Sequence, residues 1–129
     1  MSVQPVELLR GLLEKYSPTN SEQGAVAYFA SAMHSMGYAA SVDDCGNAIG
    51  VLGDGERELL LLGHIDTVPG VIPVRHEGER LFGRGAVDAK GPLACFAAAA
   101  AQAGARPGWR IRVVGAVGEE GNSRGARFL

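Results

Sequence analysis

Apolar positions along the chain first recur at helical spacing. Between Val3 and Tyr16 they fall at Val6, Leu8, Leu9, Leu12 and Leu13, which predicts a helix with one buried face. Ser17-Pro18-Thr19-Asn20 stops it and offers caps for a second helix over 21–36, marked by Ala25, Val26, Phe29, Ala30, Met33 and Met36 and closed by Gly37. The period then shortens. Residues 39–42, 48–52 and 58–62 read as strands, separated by the turns Asp-Asp-Cys-Gly-Asn and Gly-Asp-Gly-Glu-Arg. The unbroken run Leu59-Leu60-Leu61-Leu62 predicts a strand covered on both faces. Residues 92–103 predict a third helix ended by Gly104, and 109–117 a further buried strand with Ile111, Val113 and Val114 branched at Cβ. Helices first, then strands alternating with helices, predict an α/β sandwich with a mixed sheet.

Composition narrows the class. A chain of 129 residues, 47% hydrophobic and 20% charged, suits one soluble globular domain with its own core. A net charge of −2 with scattered Lys and Arg argues against a nucleic-acid or anionic-lipid surface. Cys45 and Cys95 form no Cys-x-x-Cys pair. Cys95 lies in an apolar helical run, which predicts a buried free thiol, and a disulfide between the two stays open. The N-terminus lacks the basic and apolar stretches of a signal peptide, and the apolar stretch 92–103 is shorter than the ~20 residues of a membrane span. A cytoplasmic location, with no nucleic-acid or membrane partner, is the expectation.

Three motifs stand at the exits of predicted strands, where open α/β sheets place ligands. The first is Gly63-His64-Ile65-Asp66-Thr67-Val68-Pro69-Gly70. Residues i and i+2 of a strand share a face, so His64 and Asp66 point the same way. One imidazole nitrogen can then bind a metal while a carboxylate holds the other, although a hydrogen-bonded structural pair fits as well. The second is Gly83-Arg84-Gly85-Ala86-Val87-Asp88-Ala89-Lys90-Gly91-Pro92, where Asp88 precedes a helix and reads equally as an N-cap. The third, Gly118-Glu119-Glu120-Gly121-Asn122, sets two carboxylates at the end of an apolar strand, which alone would be a solvated turn. Together, one imidazole and several carboxylates at strand exits suit a two-metal hydrolytic site. A dinucleotide-binding domain is disfavoured, because the first strand-to-helix turn carries no glycine fingerprint.

In this order the motifs resemble the co-catalytic zinc family of acetylornithine deacetylase, succinyl-diaminopimelate desuccinylase, aminoacylase and glutamate carboxypeptidase. The resemblance covers nearly the whole chain and implies a mixed-sheet α/β sandwich of the zinc-peptidase type. It implies two divalent metal ions, zinc or cobalt, with His64 and Glu120 as ligands and Asp88 bridging them. It implies Asp66 as the active-site carboxylate behind His64, and Glu119 as the general base that takes a proton from the attacking water. It also implies a cis peptide at Asp88–Ala89. Val87-Asp88-Ala89-Lys90-Gly91 followed by Gly118-Glu119-Glu120-Gly121-Asn122-Ser123-Arg124-Gly125-Ala126-Arg127 is most similar to hydrolases that free lysine or ornithine from an amino-group carrier protein. Deacetylases and desuccinylases acting on small N-acyl amino acids more often show Asp-Met-Lys and Asp-Glu-Glu, and Gly118 stands here for that first Asp.

The family pattern also needs an acidic ligand a helix beyond the Glu pair and a His near the C-terminus. The chain stops nine residues after Glu120, and His34 and His76 lie outside the motifs. Residues 1–129 are therefore expected to form the N-terminal part of a metallohydrolase catalytic domain, without the lid domain through which such enzymes form homodimers, and to be inactive alone. The alternative is a small non-catalytic binding domain with the same half-fold.

Overall fold

The computed structural model describes residues 4–129. Helix α1 spans Pro5–Glu14, with proline at a first-turn position where no N–H is needed. The predicted start at Val3 lies outside the described residues. Leu8, Leu12 and Leu13 turn inward, whereas Val6 is exposed, so the buried stripe is narrower than the sequence suggests. Helix α2 spans Gln23–Ser35 and buries Ala25, Val26, Phe29, Ala32 and Met33. Gly37 follows at φ 98°, a conformation glycine adopts without steric cost.

Strands β1 (Ala39–Val42), β2 (Ala48–Gly53) and β3 (Arg57–His64) come next, then a hairpin of β4 (Arg75–Glu77) and β5 (Arg80–Phe82). Helix α3 (Lys90–Ala103), strand β6 (Trp109–Ala116) and helix α4 (Arg124–Phe128) complete the order. The main sheet runs β1-β2-β6-β3. β6 is antiparallel to β2 and parallel to β3, so the sheet is mixed. Leu8 and Leu12 of α1, Phe29 and Met33 of α2, and Leu93 and Ala97 of α3 join Ile111 and Val113 of β6 in one core on a single face. Ile49, Val114 and Ala116 form a smaller cluster on the opposite face.

Two expectations need correction. β3 is not covered on both faces: it is the outermost strand of the described sheet, and Leu59, Leu60 and Leu62 are 47%, 45% and 43% exposed. Cys95 is exposed rather than buried, because α3 directs Leu93, Ala94 and Ala97 to the core and turns Cys95 away. Both cysteines are free thiols. Among the described residues no helix is long and apolar enough to cross a membrane.

Candidate metal centre

The parallel pairing of β3 with β6 sets the site. It matches His64 with Ala116 at the last register position, so both strands release their chains at the same sheet end. His64 leaves β3 there, and Glu119 and Glu120 follow β6 there. The 83–91 loop brings Asp88 to the same place from the start of α3.

His64, Asp88 and Glu120 each offer one ligand atom, and these atoms all lie within 4.8 Å of one another, a group that could hold a metal ion. His64 Nε2 is 3.0 Å from Asp88 Oδ1 and 3.4 Å from Glu119 Oε2. Nδ1, on the other side of the ring, lies 2.9 Å from the Asp66 carbonyl oxygen and 3.4 Å from Asp66 Oδ1. The ring thus turns one nitrogen to Asp66 and the other to the open acidic cluster. Asp88 does not cap α3: the N-cap is Ala89, without a side-chain cap bond. The Asp88–Ala89 peptide is cis, as the resemblance implies.

Asp66 is fully buried, yet each of its oxygens is satisfied. Oδ1 accepts from the backbone N–H of Glu119 at 3.0 Å. Oδ2 accepts from the N–H of Glu120 at 3.0 Å and from the Thr19 hydroxyl at 2.7 Å. Burial alone would raise its pKa, but the hydrogen bonds from His64, Thr19 and the two amides prevail and hold it at about 2. The bond to that carboxylate, outweighing burial, pushes the His64 imidazole up to about 9. Burial and the neighbouring charges of Asp88 and Glu119 raise the pKa of Glu120. Negative charge is therefore crowded at the mouth of the site, and a cation would relieve it.

Several supporting residues receive no role at the site from the sequence. Thr19, read from sequence as a cap or helix stop, instead braces Asp66; its own N–H donates to the Thr67 carbonyl at 3.2 Å. Buried Asn47, read as part of a turn, accepts from the Val117 N–H at 3.0 Å and donates to the Gly125 carbonyl at 3.1 Å, fixing both ends of the segment that holds the Glu pair. Arg124 pairs with the buried Glu22 at 2.9 Å. The Lys90 ammonium is fully buried, and burial lowers its pKa to about 8. A polar residue inside a predicted turn or apolar run was the available signal, but its partners lie about 50 to 80 residues away in sequence. His34 and His76 are exposed on α2 and β4 and do not belong to the converging group of ligand atoms.

Comparison with known proteins bears on the same residues. The model of peptidase family M20/M25/M40 matches residues 60–129, which include all three motifs. A protein of Thermococcus kodakarensis, provisionally named LysW-lysine/LysW-ornithine hydrolase, is 50% identical over 99% of this chain and 36% of its own length. The LysW-lysine hydrolase of Deinococcus radiodurans is 45% identical over 95% of this chain and 35% of its own. Human carnosine dipeptidase 1 shares the fold, with a TM-score of 0.76 at 18% identity over 94% of this chain and 33% of its own. A tripeptidase from Staphylococcus aureus does so with a TM-score of 0.71 at 22% identity over 100% and 40%. The chain spans little more than a third of the length of the curated relatives it matches.

Proposed function

As the chain belongs to peptidase family M20/M25/M40, we propose that residues 1–129 form the N-terminal part of the catalytic domain of a metal-dependent hydrolase that cleaves C–N amide bonds. The observation that carries this reading is the convergence of His64, Asp88 and Glu120 ligand atoms within 4.8 Å. One imidazole and two carboxylates are a donor set suited to zinc, with cobalt able to substitute. In this reading His64, Asp88 and Glu120 would supply ligands to the divalent cations. Bound divalent cations would supply charge stabilisation for the oxygen of the amide under attack.

The remaining work falls to the protein's own groups. Glu119, half-exposed beside His64, takes the proton of the attacking water and delivers it to the departing amine. Asp66 reaches no open space and acts as a positioning residue: it orients the imidazole through Nδ1 and fixes the backbone that presents Glu119 and Glu120.

The names of the relatives support lysine or ornithine joined to a carrier protein as the substrate of the full-length enzyme. Cytoplasmic location suits the two free cysteines. Homodimer formation through a lid domain is carried over from the resemblance. The experiment offers full-length enzyme carrier-linked lysine, acetylornithine and succinyl-diaminopimelate side by side. Preference for the carrier-linked substrate supports the reading, and preference for either small acyl substrate moves the enzyme to that subclass.

A further inference from the structure

The buried cation that the amide chemistry leaves unused is Lys90. Its Nζ donates to the carbonyl oxygens of Leu12 at 2.7 Å and Lys15 at 2.9 Å. Those carbonyls stand at the C-terminal end of α1, where the helix dipole is negative; Lys15 is the C-cap residue, and the Leu12 oxygen also accepts from its N–H at 3.2 Å. A lysine fully removed from solvent is uncommon unless it is tied to a specific acceptor. This one reaches 75 and 78 residues back along the chain to find two.

What lies on either side of the clamp makes it more than a helix cap. The backbone N–H of Lys90 donates to the Gly85 carbonyl at 2.9 Å, closing the turn that carries Asp88. Gly85 itself has φ 88°, and a Cβ there would meet Thr67 Cγ2 at 2.7 Å and the Lys90 stem at 3.4 Å. The turn, the lysine stem and the residue after Asp66 are therefore packed without slack. Beyond Lys15, the chain runs to Ser17, whose hydroxyl donates to the Ile65 carbonyl at 2.8 Å and whose own carbonyl accepts from the Thr67 N–H at 2.9 Å. Two residues further, Thr19 holds Asp66.

We infer that Lys90 is a positioning residue that locks the Asp88 turn to the α1 exit, setting the distance between Asp88 and the Asp66-braced His64 so that both serve one cation site. The inference rests on the cation reading above. It differs from a purely structural role in a measurable way: loss of the clamp loosens the site more than it loosens the fold.

The test uses cobalt(II) alone as probe on the full-length protein. Lys90→Met keeps the apolar stem and removes the donors, and Leu8→Ala serves as a control that weakens the same helix from inside the core. Cobalt affinity falls about 10–100-fold in Lys90→Met, with a changed visible absorption spectrum, the scale expected when the support of a metal ligand is lost. Leu8→Ala lowers the denaturation midpoint but leaves cobalt affinity and spectrum unchanged. Lys90→Arg, which retains donors, recovers part of the affinity. Should Lys90→Met not fold, Lys90→Gln, with an amide donor on a shorter stem, takes its place in the same comparison. Native affinity and spectrum in the Lys90 variant, or an equal loss in Leu8→Ala, would overturn the inference while leaving the cation site standing. Absence of cobalt binding by the unsubstituted protein would overturn the cation reading and the inference with it.

Discussion

Asp66 Oδ1 accepts a hydrogen bond of 3.0 Å from the backbone N–H of Glu119, a residue 53 positions later in the chain. The same carboxylate takes the Glu120 N–H and the Thr19 hydroxyl on its other oxygen. Every group facing these two oxygens is a donor. In Asp66→Asn the amide NH2, whichever way it turns, must face a backbone N–H. The substitution is expected to cost about 1–3 kcal/mol of stability and to reduce zinc affinity about 10–100-fold. Urea unfolding and calorimetric zinc titration of the full-length protein measure the two effects. An Asn variant with native affinity would remove Asp66 from the positioning role.

This bond also marks how far the sequence could be read. The apolar runs and their periods placed every main-sheet strand and the first three helices nearly where they lie, because the helices bury one repeating face and the strands are bounded by glycine- and aspartate-rich turns. The residues His64, Asp88, Glu119 and Glu120 stood out only together, as three motifs in one order that resembles a known family; singly, each also read as a structural pair, a helix cap or a solvated turn. Thr19, Asn47 and Lys90 received no role at the site, Lys90 even though it lies within the second motif. Their long-range partners are backbone groups or a carboxylate brought near only by the pairing of β6 with β2 and β3 and by the docking of α1, and a threonine or asparagine in a turn has many local uses. The exposure of β3 was hidden for a related reason, since four consecutive leucines state a preference for burial without saying what provides it.

The β3 edge has a direct consequence. Produced alone, the 129-residue chain presents a strand whose one described partner is β6, with Leu59, Leu60 and Leu62 exposed. Such an edge templates pairing with another copy. Sedimentation velocity at increasing concentration is expected to show association, and Leu60→Lys to reduce it. A chain that stays monomeric at high concentration would contradict this.

Gly125 sits where no side chain fits. A Cβ there would fall 2.3 Å from Asn47 Oδ1 and 2.6 Å from both the nitrogen and the oxygen of Val117. Gly125→Ala must push apart the Asn47 brace and the end of β6. Overpacking of this kind costs about 1–3 kcal/mol, and because the segment carries the Glu pair, zinc affinity should fall along with the unfolding midpoint. An alanine variant as stable as the parent would show that α4 shifts freely.

Tyr38 supplies a pH test. Its ring is buried between α2 and the sheet, and its hydroxyl donates to the Ala97 carbonyl of α3 at 2.6 Å. Burial raises its pKa from 10.0 to about 12. The folded state thus favours the neutral phenol, so its contribution is complete below pH 10 and is lost as pH rises from about 10 towards 12. Tyr38→Phe should lose about 1 kcal/mol at neutral pH and show a flatter decline of stability across that alkaline window. Identical alkaline profiles for the two proteins would contradict the assignment.

The central claim is that Glu119 performs proton transfer beside a cation site built from His64, Asp88 and Glu120. It is tested most directly by Glu119→Gln in the full-length enzyme, with zinc content and amide turnover measured on the same sample. The glutamine keeps the shape and the backbone bond to Asp66 but cannot take a proton. Zinc content is expected to stay at the parent level while kcat falls by roughly two to four powers of ten. Near-parent turnover at full zinc content would contradict the account.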